Sequence, residues 1–214
     1  SWLGPNSFGS ILQNPSIINA SVAATGTYTV TATNGCGTPG TATIQAFVNP
    51  QPAAIISYDG SPYCSNGGTG SVTRTGTANG SYSSTVGLTI NSGTGSVTLG
   101  TSAAGTYTVT YTIAAGNGCT LFSTTASITI NAAPNAGSNG TLALCSNSAA
   151  ANLFSSLGGS PQAGGSWTFG GNAHGATYDP ATDASGVYTY TITGTAPCVN
   201  STATVTVTES VAPN

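Results

Sequence analysis

Charge is the scarcest property of this sequence. Of 214 residues, 2% are charged: one basic residue, Arg74, against the acidic Asp59, Asp179, Asp183 and Glu209. Lysine and methionine are absent, and His174 is the one histidine. A nucleic-acid partner is excluded, because phosphates are neutralised by a basic footprint that one arginine does not make. No apolar run reaches the roughly 18 residues of a spanning helix, so no membrane insertion is expected. No charged stretch precedes an apolar one, so no signal peptide is expected here. Without lysine, the Lys–Asn isopeptide bonds that stiffen some bacterial stalks are impossible. Disorder is not implied either: it pairs low hydrophobicity with high net charge, whereas 38% of this chain is apolar and its net charge is −3.

What is abundant is small. Glycine is 30 residues and threonine 37, so solubility rests on hydroxyls and amides. Gly26-Thr-Tyr-Thr-Val-Thr, Gly105-Thr-Tyr-Thr-Val-Thr and Gly186-Val-Tyr-Thr-Tyr-Thr repeat, and each is followed by a cysteine: Cys36, Cys119 and Cys198. Tyr63-Cys64-Ser65-Asn66 and Leu144-Cys145-Ser146-Asn147 form a second recurring pair. An aromatic precedes each Gly-x-Tyr: Trp2, Tyr82 and Trp167. Joints at Asn49-Pro50-Gln51-Pro52 and Ala133-Pro134-Asn135 separate the copies, and Ala212-Pro213-Asn214 repeats the second joint. A fixed period of this kind predicts stacked structural units: a partial repeat over 1–49, lacking its opening strands, and full repeats over 50–132 and 133–214. The pattern reads as a piece of a longer array.

Within each copy the period is two. Tyr107, Val109, Tyr111 and Ile113 alternate with Thr106, Thr108, Thr110 and Thr112, and Ala203, Val205 and Val207 alternate with Thr202, Thr204, Thr206 and Thr208. Such strands bury one face and wet the other, and branched threonine suits the wet, pleated side. Short strands with frequent turn signals predict all-β sandwiches. The expected core is Trp2 with Tyr28, Tyr82 with Tyr107, and Trp167 with Tyr188.

Little here suggests catalysis. His174 with Asp179 or Asp183 lacks a nucleophile elbow, and an exposed loop histidine is expected. Asp179 and Asp183 share one short loop, too close for the two carboxylates of a glycosidase. They are turn formers rather than the oxygen cage that calcium needs. Arg74 is expected to snorkel at a strand end. Cysteines in close pairs, as zinc requires, do not occur. No enzyme, cofactor or metal is expected. The threonine ladders invite comparison with sugar-binding or ice-binding surfaces, although sheet twist spoils an ice match.

Trp167, the turn Asp183-Ala-Ser-Gly186 and Tyr188 resemble the core tryptophan and tyrosine corner of the immunoglobulin-like sandwich. That fold's usual cysteine two residues after the tyrosine is replaced by Val30, Val109 and Tyr190. The phrasing Trp2-Leu-Gly-Pro-Asn, Gly60-Ser-Pro-Tyr-Cys64-Ser-Asn and Tyr178-Asp-Pro-Ala-Thr-Asp183 resembles the tandem immunoglobulin-like or PKD-like repeats of very large Bacteroidetes surface proteins exported by the type IX secretion system, gliding-motility adhesins among them. Tandem antiparallel sandwiches joined by short, stiff linkers containing Pro50, Pro52 and Pro134 predict an elongated array, on the order of 90 Å long at about 3.3 Å per strand residue. The resemblance implies a non-enzymatic, extracellular, cell-surface segment acting as stalk or in adhesion. Its partners would be neighbouring repeats of the same chain, secretion or motility machinery, and surface polysaccharide. A sugar- or ice-binding module, or a secretion substrate caught in transit, are the alternatives.

Five cysteines in a neutral chain favour an oxidising compartment. Pairing by repeat joins Cys64 to Cys119 and Cys145 to Cys198, leaving Cys36 over. Each bond would close about 55 residues, worth roughly 4 kcal/mol of loop entropy. One geometric objection stands: if Cys64 and Cys145 sit at the far ends of their sandwiches from Cys119 and Cys198, a Cys64–Cys198 link between repeats becomes the alternative.

Overall fold

The structure is a computed structural model that describes residues 1–211; the repeated joint at 212–214 lies outside the described residues. The chain is almost wholly β, with short 3-10 turns at Val22–Ala24, Leu99–Thr101 and Leu153–Ser156. Its contacts divide it into two compact units. One comprises Ser1–Ile55, Arg74–Ser81 and Tyr111–Thr124; the other comprises Ile56–Thr73, Tyr82–Thr110 and the chain from Thr125 onward.

In the first unit, Phe8–Ser10, Trp2–Gly4, Gly26–Ala32 and Gly40–Ala46 form an antiparallel sheet in that order. Tyr28 is buried and meets Phe8 edge-on, whereas Trp2 is only partly covered. In the second unit, a five-stranded sheet runs Gly140–Cys145, Ser201–Ser210, Gly186–Ile192, Ser166–Phe169, Asn172–His174. The first two of these strands are parallel and the rest antiparallel. Ala151–Asn152 pairs with Thr177–Tyr178 as a separate two-stranded sheet. The core of this sandwich holds Trp167, Tyr178, Tyr188, Tyr190, Val205 and Val207. The strands between follow the same plan: Tyr63–Cys64, Phe122–Asn131, Gly105–Ile113 and Ser81–Ser84 in order, the first pair parallel, with Tyr82 and Tyr107 buried.

The recurring Gly-x-Tyr has a local cause. Tyr28, Tyr107 and Tyr188 each donate their phenol to the carbonyl four residues earlier: Ala24 at 2.7 Å, Ala103 at 2.8 Å and Ala184 at 2.7 Å. The chain must turn sharply between partner and ring, and it does so at the glycine, with φ of +146° at Gly26 and +149° at Gly186. Only glycine takes that backbone without strain. A side chain at Gly186 would also meet Phe169 at 2.9 Å.

The threonine faces pair across strands. Thr189 lies opposite Thr204 and Thr191 opposite Thr202; Thr29 lies opposite Thr43 and Thr31 opposite Thr41. Thr106 and Thr129 approach to 3.0 Å between hydroxyls. Such pairs contribute a few tenths of a kcal/mol each, so strand stability accounts for the ladders.

Candidate functional site

Two groups of residues could carry function: the cluster around His174, and the cysteines with the asparagines beside them.

His174 Nε2 lies 3.3 Å from Asp183 Oδ1, and its Nδ1 lies 2.8 Å from the Gly175 carbonyl. Its ring stands edge-on to Tyr188, centroids 4.8 Å apart. Both ring nitrogens thus face structural acceptors. Asp183 Oδ2 accepts from the Asp179 N–H at 2.7 Å, while Asp179 Oδ1 accepts from the Ala181 N–H at 3.0 Å. These bonds knit the loop that delivers Tyr188 to its corner. Tyr178 donates to Glu209 across the same core, and burial foremost, then that bond, raises its phenol above the ordinary range. Burial, with the charges of Asp183 and Glu209, also raises Tyr188. Among the described residues no group of three His, Cys, Asp or Glu side chains gathers as a metal site. Arg74 donates to the carbonyls of Gly76 and Thr77 at 3.0 Å and lies over the Tyr111 ring.

The Asp179 N–H, and after it His174, holds the Asp183 carboxyl below its usual 3.8. A folded-state value lower than the unfolded one means stabilisation that is full above the unfolded pKa and lost as pH falls through the folded one. Asp183→Asn is therefore expected to flatten the acid side of the stability curve below about pH 4. Thermal melts of both proteins down that range check it; equal acid slopes would refute the assignment.

The cysteines depart from pairing by repeat. Cys64 is bonded to Cys198, 134 residues away, and Cys36, Cys119 and Cys145 are thiols. The expected Cys145–Cys198 bond fails because Gly140–Cys145 runs parallel to Ser201–Ser210 with Cys145 opposite Ser210, the last residue, while Cys198 precedes the first. Ten residues at about 3.3 Å put roughly 30 Å between them, against a limit near 7 Å between bridged Cα atoms. The expected Cys64–Cys119 bond fails in the same way: Cys64 lies opposite Asn131, the last residue of Phe122–Asn131, and Cys119 precedes that strand.

Around the bond, the Ser65 N–H donates to the Asn131 carbonyl at 2.9 Å, and Asn131 Nδ2 donates to Ala196 O at 2.6 Å. Cys198 Sγ lies 3.6 Å from the Asn131 carbonyl. Asn131 thus gathers both loops at the sulfurs. Sequence reading passed over this residue, although Asn49 and Asn131 recur ahead of the Pro joints.

No family model matches the chain, and no curated protein matches it in sequence. Among solved structures, the I-band fragment I67–I69 of titin matches at a TM-score of 0.56 and 13% identity, over 98% of this chain and 87% of that one. The fold is immunoglobulin-like. A mutated variant of the same titin fragment matches at 0.48 and 12% identity, over 89% of this chain and 76% of that one. The insect immune protein hemolin matches at 0.48 and 12%, over 86% and 56%. At these identities the immunoglobulin-like likeness speaks to fold alone.

Proposed function

We propose that this chain is a non-catalytic segment of a secreted cell-surface protein, with repeats over 1–49, 50–132 and 133–214 arranged in series as a stalk. The observation that carries this reading is the Cys64–Cys198 bond, which ties a residue of the second repeat to one of the third. A bond placed there limits how far two successive repeats can be pulled apart. It also needs an oxidising compartment, in keeping with an extracellular site. The partners on this reading are neighbouring repeats, with secretion or motility machinery and surface polysaccharide as contacts of the whole protein. A sugar platform requires several exposed coplanar rings; among the described residues Phe47 is the one largely exposed aromatic.

Small-angle scattering tests the stalk. A maximum dimension on the order of 90 Å is expected from the strand lengths. A radius of gyration near the roughly 17 Å of a compact globule of this length would overturn it.

A further inference from the structure

The place of the disulfide in the chain decides which residues feel tension. Cys64 and Cys198 are 134 residues apart in sequence and 5.0 Å apart between Cα atoms. A pull on the two ends therefore runs along residues 1–64, crosses the sulfurs and leaves along residues 198–214. The chain from 65 to 197 is a closed loop beside that path. Inside the loop lie Gly105–Ile113, Phe122–Asn131, Gly140–Cys145 and Gly186–Ile192. Trp167, Tyr178, Tyr188 and Tyr190, the aromatic part of the second unit's core, are inside it too. Strand pairs are held by bonds that are individually weak, and they part long before a covalent link does.

The path itself has little slack on its far side. Ser201–Ser210 begins three residues after Cys198 and runs ten residues away from it. It pairs on one side with Gly186–Ile192 and on the other with Gly140–Cys145. A strand rises about 3.3 Å per residue against a limit near 3.6 Å, so this one lengthens by only a few ångströms when pulled. On the near side Tyr63–Cys64 ends at the bond. Asn131 holds the two mouths of the loop together: its carbonyl accepts from the Ser65 N–H at 2.9 Å, and its Nδ2 donates to Ala196 O at 2.6 Å.

We propose that the Cys64–Cys198 bond is a bypass that carries tension past the interiors of both full repeats, and that its reduction by a dithiol releases the length it hides. With the bond closed, 81 of the 214 residues carry tension, about 280 Å when drawn straight. With it open, all 214 do, about 730 Å when drawn straight. A pull on the closed chain opens the sheet of Trp2–Gly4, Gly26–Ala32 and Gly40–Ala46, which precedes Cys64, and then meets the limit. The loop carries no tension. In the opening step the dithiol gives two electrons and two protons. The Cys64–Cys198 disulfide becomes two thiols and the dithiol closes to its own disulfide, through a mixed disulfide. Cys36, Cys119 and Cys145 are outside the bond and do not set the limit. The proposal rests on the stalk reading for tension being the condition under which the chain works; the limit itself follows from where the bond sits.

Optical tweezers, with handles joined enzymatically to the two ends of the intact chain, measure the limit once the free thiols are capped with iodoacetamide. Without reductant the stretched length is expected to stop near about 280 Å, and dithiothreitol added under tension should release roughly 450 Å more. The variant Cys198→Ser should stretch to about 730 Å with no reductant. That reading is a stretched length, so it holds whether or not the variant folds fully. A native chain that stretches fully without reductant, a reductant that adds no length, or a Cys198→Ser chain that still stops short would each overturn the proposal. Scattering tests the stalk separately: a compact globule there leaves this limit standing, and full extension here leaves the stalk shape standing.

Discussion

Replacing Tyr188 by alanine is expected to lower the unfolding free energy of its sandwich by about 3 to 5 kcal/mol, as for other large aromatic truncations in cores. Tyr188 is fully buried. Its ring stacks on Phe169 with centroids 4.5 Å apart and meets Tyr178 edge-on at 5.5 Å, and its hydroxyl holds Ala184 O. Alanine removes the ring contacts and leaves a void between the two sheets that rigid strands cannot close. It also leaves the Ala184 carbonyl without its partner. Tyr188→Phe separates these effects: it keeps the ring and should cost about 1 kcal/mol, the net value of one hydrogen bond. The equivalent Tyr28→Ala should cost less, because Tyr28 lines an open cleft where the space can fill with water. Denaturant titration followed by tryptophan fluorescence measures all three. A loss at Tyr188→Ala within about 0.5 kcal/mol, the range of surface changes, would mean that Tyr188 is not the keystone of this core.

Cutting the Cys64–Cys198 bond should have an effect of similar size. Closing a loop of 134 residues removes about 5 kcal/mol of unfolded-chain entropy on the loop-closure relation. The double variant Cys64→Ser, Cys198→Ser should therefore unfold at a lower denaturant midpoint, and reduction of the native protein should bring it to the same place. A Trp2→Phe background leaves Trp167 as the sole indole and so reports on the unit that holds the bond. Non-reducing peptide mapping should recover the Cys64–Cys198 pair. Recovery of Cys64–Cys119 or Cys145–Cys198 instead, or equal midpoints with and without the bond, would sink the assignment.

Much of the fold is legible in the chain because its signals are local. Alternating threonine with apolar residues marks Gly105–Ile113 and Ser201–Ser210 as half-buried strands, since a strand puts successive side chains on opposite faces whatever lies around it. Gly-x-Tyr marks Tyr28, Tyr107 and Tyr188 as corner residues, since a glycine turn and a bond four residues back need no distant partner. The absence of lysine and the near absence of charge, which leave no basic footprint of the kind a nucleic-acid binder uses, are read from composition alone. The cysteine partners are of another kind. Spacing within a repeat favours Cys64 with Cys119, but the bond is decided by which end of a sandwich each cysteine reaches. That end is set by a parallel pairing between Tyr63–Cys64 and Phe122–Asn131, strands about 60 residues apart in sequence, and such non-local pairing leaves no periodic trace.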